Sequence, residues 1–313
     1  MRALITGGSG FVGRWLTRAL LDRGDEVDLA VLGDSAETPD RERIRWKSAD
    51  MRSADEVEAM VDWSRPDVVF HLAAVSFQPD ADRSPETAYD VNVLGAVRLL
   101  VAIARRRAAG AMDPVVLLVG TAMQYGQHGA NEMPLPETAV QRPPTVYAAS
   151  KVAQEVAALQ FAMSSGVRVV CTRSFNHSGR GQPEPFVIPS LVARARRIQS
   201  GETGTLQLGN DVIRDFLHID DVVSAYLHLV DRGHAGEVYN VCSGTGVSTR
   251  DLAERVLLRT GVVADISTEP SLVRATDVPI LIGSPAKLQR DTGWAPRKTH
   301  DDIIDDLLHA TTD

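Results

Sequence analysis

Cysteine is almost missing from this chain: among 313 residues only Cys171 and Cys242 carry thiols, both in apolar strand-like runs. That excludes a disulfide framework and a thiolate metal site. None of the eight histidines stands at a ligand spacing, so no metal is expected. Long apolar runs are lacking as well; nothing approaches the roughly 18 residues of a membrane span. No charged-then-apolar leader precedes the first strand pattern, which begins directly after Met1, and a cytoplasmic protein without a membrane partner is expected. Positive charge is not in excess, because the net charge is -8, and this argues against nucleic acid as a partner. The basic cluster Arg105-Arg106-Arg107 reads as a solvated helix end that complements the helix dipole. Internal repeats and low-complexity segments are not found either.

What remains is a globular composition, 44% hydrophobic and 24% charged, in a chain long enough for a sizeable core and about two domains. Strand-like runs at 2–6, 26–31, 42–47, 67–72, 114–119 and 167–173 alternate with helical patterns, notably long ones at 85–108 and 145–164. This alternation predicts an α/β fold with a doubly wound parallel (Rossmann) sheet. After Arg173 the pattern changes to a Gly/Pro-rich stretch, a basic helix, an irregular strand from Leu206 to Leu217, and further elements at 220–232, 237–242 and 248–260. The division expected is a dinucleotide domain over 1–173 and a smaller α/β substrate lobe over 174–313, with 211–241 partly returning to the first.

Thr6-Gly7-Gly8-Ser9-Gly10-Phe11-Val12-Gly13 follows the apolar run Arg2-Ala-Leu-Ile5 and opens a helical pattern from Phe11 to Arg23. A strand, a glycine turn and a helix in that order form a pyrophosphate site. Gly7 suits the tight turn, Gly10 lets backbone N–H groups approach the phosphates, and Gly13 permits close helix packing. Further on, Tyr147 and Lys151 stand four apart in a helical pattern and so share one face. A phenol with a fixed cation beside it makes a proton-transfer pair near neutrality. Thr121 ends the apolar run Pro114 to Val119 near the carboxyl end of a strand, where open parallel sheets bind ligands. Together the three suggest carbonyl chemistry.

With these residues in place, the chain resembles the extended short-chain dehydrogenase/reductase family, in its NAD-dependent nucleotide-sugar epimerase, dehydratase and reductase branch. Matching segments run in order along the whole chain: the glycine turn, Ser48 to Met51, His71 to Ala74, Val91 to Gly95, Thr121 to Gly126, Tyr147 to Lys151, Arg173 to Asn176, Arg214 to Phe216 and Arg274 to Pro279. The resemblance implies NADH or NADPH as cofactor and a nucleotide-diphosphate sugar as substrate. It makes Gly7, Gly10, Phe11 and Val12 the pyrophosphate loop and Asp50 with Met51 the adenine contacts. Leu72, Ala73, Ala74 and Phe175 would line the dinucleotide, and Asn92 would support the catalytic helix. Thr121 would hydrogen-bond the reacting oxygen and Tyr147 would be the acid or base. Lys151 would bind the nicotinamide ribose and lower the pKa of Tyr147. On the substrate side the resemblance assigns Asn176 to the diphosphate, Val187 to the sugar nucleotide, Arg214 and Arg274 to phosphate charge, and Asp277 to the nucleoside ribose. Where an acid binds the ribose of NAD, the chain reads Val31-Leu32-Gly33 with Asp34 just beyond and no Arg for a 2'-phosphate, which favours NADH mildly over NADPH. A homodimer through the two long helices is implied too.

Three reactions share this scaffold. Dehydratases of the branch carry an acid one or two residues after the catalytic Thr, where this chain has Ala122 and Met123. The 3,5-epimerising branch uses a cysteine near the site, and Met123 stands there instead. The strings Arg173 to His177, Tyr239 to Gly244 and Asp277 to Gly283 resemble the 4-keto-6-deoxy-sugar reductases, those acting on GDP-4-keto-6-deoxy-D-mannose to form GDP-D-rhamnose above all. A dTDP-linked substrate, a 4-epimerase and, more remotely, a non-catalytic NAD(P) sensor are the alternatives. The chain departs from the family at Gly120, where Ser is usual, at Gln124, where Val is usual, and at Arg180, where Pro is common.

Overall fold

The computed structural model describes residues 1–33, 41–201, 204–273 and 277–309, so Asp34 and Arg274 fall outside the described residues. In chain order the strands are β1 (Arg2–Thr6), β2 (Glu26–Val31), β3 (Arg45–Ser48), β4 (Val68–His71), β5 (Val115–Thr121), β6 (Arg168–Ser174), β7 (Asn176–Ser178), β8 (Thr205–Leu208), β9 (Ile213–His218), β10 (Glu237–Val241), β11 (Gly246–Ser248), β12 (Asp265–Thr268) and β13 (Ile280–Leu281). The helices are α1 (Phe11–Arg23), α2 (Ala54–Ser64), α3 (Gln78–Arg83), α4 (Pro85–Tyr89), α5 (Gly95–Ala108), α6 (Val146–Ser165), α7 (Val187–Gln199), α8 (Ile219–Arg232), α9 (Thr249–Thr260), α10 (Ala286–Thr292) and α11 (His300–Leu308).

Short, nearly continuous apolar strands bury on both faces, and that dictates a parallel sheet covered by helices on either side. Every residue of β4 is buried, and all but the first of β2 and of β6. Seven strands pair in the order β10-β6-β5-β4-β1-β2-β3, all parallel. One apolar layer joins the sheet to α1 and α8 through Leu16, Leu20, Val222 and Leu229, and the other joins it to α2, α5 and α6 through Val57, Met60, Leu99 and Ala158. The chain runs outward from β1 to β3 and then returns to β4 on the other side. A crevice therefore opens between β1 and β4 at their carboxyl ends, the place where open sheets of this kind take ligands.

A second core, with Ile188, Leu191, Phe216, Leu252 and Ile304, gathers α7, α9 and α11 around β9. There β9 pairs β7 and β13 in parallel and β11 antiparallel, while β8 pairs β12. β10 joins the large sheet beside β6, and α8 packs on that sheet.

Three elements differ from the sequence expectation. The strand expected at 42–47 is a 3-10 turn at Arg41–Arg43 followed by β3, a short edge strand whose Arg45 reaches across to the buried Asp28. The irregular strand from Leu206 to Leu217 is two strands in separate sheets, because β8 pairs β12 and only β9 lies beside β7. The long helix at 85–108 is interrupted by a π turn over Asp90–Leu94, which rotates Asn92 inward to full burial. Among the described residues this Pro85–Ala108 stretch is also the one long and apolar enough to cross a membrane; its Ala96, Leu99, Leu100 and Ile103 are spent on the sheet-facing core.

Candidate active site

The glycine turn lies where β1 feeds α1. Gly7 is left-handed with φ +72°, and a Cβ there would lie 2.8 Å from the Ala73 nitrogen, so only glycine lets this turn approach the loop after β4. At Gly13 a Cβ would stand 2.5 Å from the Gly8 carbonyl, so the turn packs directly on the helix. Gly10 caps α1 with no side-chain hydrogen bond, and the first turn holds no acid. Uncapped N–H groups at the positive end of a helix dipole suit a pyrophosphate, and these residues fit a dinucleotide.

From that turn a cleft of about 570 Å³ runs along the sheet edge to the second core. The volume suits a ligand site. Gly7, Gly10, Phe11, Val12, Leu72 and Ala74 face its first part; Thr121, Tyr147, Lys151 and Phe175 its middle; Asn176, Val187, Arg214 and Asp277 its far end. The structure thus gathers fourteen expected residues into one continuous space.

Asp50, Met51, Ala73 and Asn92 do not face the cleft. Asp50 is clasped by Arg52 at 2.6 Å, which holds the carboxyl below its usual range. Met51 is core, its Cβ 2.9 Å from where a Gly95 Cβ would be. Ala73 donates its N–H to the Thr6 hydroxyl at 3.3 Å. Asn92 accepts from Val75 N–H at 2.8 Å and donates to the Ser150 hydroxyl at 2.9 Å, so it pins the loop after β4 to α6.

Thr145 caps α6 by accepting from Ala148 N–H, and the preceding Pro143-Pro144 holds the entry extended, which presents Tyr147 in the first turn at the cleft wall. Burial pushes the Tyr147 phenol up to about 12, with the Thr121 hydroxyl pulling the other way. Lys151, 3% exposed, donates to the Val119 carbonyl at 2.8 Å, and burial pushes its ammonium down to about 7. The Lys151 ammonium hydrogen-bonds the strand carbonyl, and the group that draws the Tyr147 phenol down against burial is the Thr121 hydroxyl. His71, at the end of β4, shares a hydrogen with Thr6 at 2.8 Å, and burial reinforced by Lys151 holds it down to about 3, so it stays neutral.

At the far end, Arg214 is 8% exposed and donates to the Ile213 carbonyl at 2.9 Å. Burial pushes this guanidinium down while neighbouring Asp277 pulls it up, and Asp277 accepts from Asn210 at 2.8 Å. Among the described residues facing the cleft, Asp277 is the sole acid, and neither cysteine faces it. Sequence reasoning missed Arg194, Asn210 and Phe77, and read Phe186 only in a string resembling the reductases, with no role at the site. Arg194 was visible only as part of a basic helix, and Asn210 as part of a strand pattern. Phe77 and Phe186 meet edge-on with centroids 6.2 Å apart across the cleft mouth, a pairing between distant segments that no local spacing signals.

The family model for GDP-mannose 4,6 dehydratase matches residues 4–307. The GDP-6-deoxy-D-mannose reductase of Pseudomonas aeruginosa is 38% identical over 236 residues, covering 75% of this chain and 76% of that one. Among solved structures, RMD from Pseudomonas aeruginosa complexed with NADPH superposes with a TM-score of 0.83 at 34% identity, covering 98% of both chains. The Thermus thermophilus UDP-glucose 4-epimerase in complex with NAD gives 0.83 at 29% identity, covering 99% of this chain and 100% of that one.

Proposed function

The chain belongs to the GDP-mannose 4,6-dehydratase family of extended, NAD(P)-dependent short-chain dehydrogenases/reductases, and from that premise we propose that it reduces the C4 ketone of a nucleotide-diphosphate 4-keto-6-deoxyhexose, GDP-4-keto-6-deoxy-D-mannose to GDP-D-rhamnose above all. The observation that carries this reading is the convergence of Thr121, Tyr147 and Lys151 on a cleft in which, among the described residues, no acid or thiol stands beside them. Dehydration needs a group to take the C5 proton and release the C6 hydroxyl, and the cleft's acid, Asp277, sits with Asn210 and Arg214 instead. Reduction needs none.

A bound NAD(P)H supplies the hydride. The glycine turn holds the pyrophosphate, and Lys151 presents its ammonium to the ribose side of the cleft. With its pKa near 12, Tyr147 is protonated at neutral pH, the form required of an acid that protonates a developing alkoxide. Thr121 donates its hydroxyl proton to the same oxygen. Asn176 and Arg214 take the diphosphate, Val187 packs on the sugar nucleotide, and Asp277 contacts the nucleoside. Arg274 serves the phosphates and Asp34 the adenosine ribose.

Loss of nicotinamide absorbance on mixing the protein with GDP-4-keto-6-deoxy-D-mannose, run with NADH and with NADPH, tests the proposal. Stoichiometric oxidation supports it; an inert GDP substrate with an active dTDP-linked one moves the base assignment. Inertness of both sinks it. The likeness to a UDP-glucose 4-epimerase favours epimerisation as the second reading, and that reading predicts purified protein carrying tightly held cofactor. We further propose a homodimer through α4–α5 and α6, whose Tyr89, Leu94, Val156 and Met163 are exposed apolar side chains 40%, 49%, 60% and 88% accessible. A sedimentation mass of one chain overturns this.

A further inference from the structure

Gly120 and the side chain of Gln124 compete for the same space. A Cβ on residue 120 would lie 2.4 Å from the Gln124 Oε1 and 2.4 Å from the Thr172 carbonyl, so glycine at 120 is what leaves room for the Gln124 side chain. That side chain is fully buried and every polar atom on it is used. Its Oε1 accepts the Thr121 N–H at 2.9 Å, and its Nε2 donates to Glu155 at 2.9 Å. Glu155 is gripped by Arg173 through two bonds of 3.0 and 2.8 Å, and accepts from Gln141 at 2.8 Å. Arg173 also donates to the Glu137 carbonyl at 2.9 Å and stacks on the Tyr125 ring at 4.8 Å.

Thr121, meanwhile, accepts the Met123 N–H at 3.3 Å on its own hydroxyl, so Thr121 and Gln124 form a reciprocal capping box around the 3-10 turn Ala122–Gln124. With one lone pair committed to Met123, the hydroxyl's proton is free to point into the cleft. Glu155 lies four residues beyond Lys151 and eight beyond Tyr147, on one face of α6. The strand end is therefore fastened to that helix twice, at Val119 by Lys151 and at Thr121 by Gln124 through Glu155.

We infer that Gln124 is a positioning residue for the reaction: it holds the backbone and hydroxyl of Thr121 in register with Tyr147 and Lys151, through the Glu155–Arg173 pair that Gly120 makes room to reach. This rests on the reductase reading for its consequence in rate, while the coupling itself is a property of the chain. A displacement of about 1 Å at a reacting group costs up to roughly 100-fold in rate. Gln124→Met keeps the volume and removes the acceptor and the donor. The result expected is a kcat lower by about 10- to 100-fold, with KM for the sugar nucleotide and for NADPH within twofold. In a Thr121→Val background the same change adds no further loss. An equal loss in both backgrounds, an unchanged kcat, or a loss confined to KM overturns the inference. Amide hydrogen exchange at Thr121, read by NMR without substrate, separates this from the proposed reaction: it quickens at least tenfold in Gln124→Met while the core amides of β4 do not. If wild-type protein oxidises no nicotinamide with either keto sugar, the reaction is wrong and the exchange result alone decides the coupling. Unchanged exchange at Thr121 sinks it.

Discussion

Asn92 donates to the Ser150 hydroxyl at 2.9 Å, and that hydroxyl donates in turn to the Tyr147 carbonyl at 2.8 Å. A buried amide outside the cleft thus steadies the first turn of the helix that carries Tyr147, while its Oδ1 and Nδ2 also bond both backbone groups of Val75. Asn92→Leu keeps the bulk, leaves both backbone groups of Val75 without this partner and takes from Ser150 the donor to its hydroxyl oxygen. Each buried polar group left unpaired costs about 1–3 kcal/mol, so a lower denaturation midpoint is expected, together with a kcat about tenfold lower from the loosened helix start. Urea unfolding and steady-state rates check both, and an unchanged kcat in a folded variant removes Asn92 from the support of Tyr147.

The sequence made the parallel sheet legible because its inner strands are buried apolar runs between helical patterns, while the polar edge strand β3 was misplaced; Thr121, Tyr147 and Lys151 were legible because strand ends and helix faces are local features. The π turn at Asp90–Leu94 was not visible, since its cause is the tertiary demand that Asn92 reach Val75 and Ser150. Nor was the state of Lys151. Spacing says that an ammonium lies near a phenol, but its pKa depends on how completely the sheet encloses it. Gly120 and Gln124 stood out only as departures, and their mutual fit needed coordinates.

On the proposed reaction Lys151 is expected to set the pH dependence. Its charge favours hydride reduction by stabilising negative charge developing on the oxygen beside Tyr147, and it is present below about 7 and lost above. For free protein kcat/KM is then flat on the acid side and falls by about tenfold per pH unit on the alkaline side. Lys151→Met gives a low, pH-independent value across that limb. Stability moves in the opposite sense: between the folded value near 7 and an unfolded value of about 10.4, the unfolded chain binds more protons, so the contribution of Lys151 to stability rises with pH. A wild-type profile that stays flat to pH 9 contradicts the enclosed lysine.

Tyr147→Phe removes the acid and leaves the cleft's shape. Proton transfer from a positioned side chain is worth about 10²- to 10⁴-fold, and kcat for reduction should fall by that factor while the NADPH dissociation constant, read by fluorescence, changes less than threefold. Thr121→Val should cost about 10²- to 10³-fold, as the loss of one donor to the reacting oxygen. Retention of full rate by Tyr147→Phe would assign the proton to another group.

Arg214 distinguishes the far end of the cleft from the end at the glycine turn. Its guanidinium is held at 8% exposure beside Asp277, costly to bury unless an anion joins it, and it stands at the end remote from the glycine turn. A charge-assisted bond to a diphosphate contributes about 1.5–3 kcal/mol, so Arg214→Met should raise KM for the sugar nucleotide by roughly 10- to 150-fold. Arg214→Lys keeps the charge but not the planar fork and falls between. The NADPH dissociation constant is expected to be unchanged in both, because the pyrophosphate site proposed for the dinucleotide is the Gly7 to Val12 turn at the other end of the cleft. Equal weakening of cofactor and substrate would mean that Arg214 supports the lobe as a whole. An unchanged KM would leave its charge answered by Asp277 alone and put the substrate's phosphates elsewhere, with Arg194 on the neighbouring wall the next cation to replace.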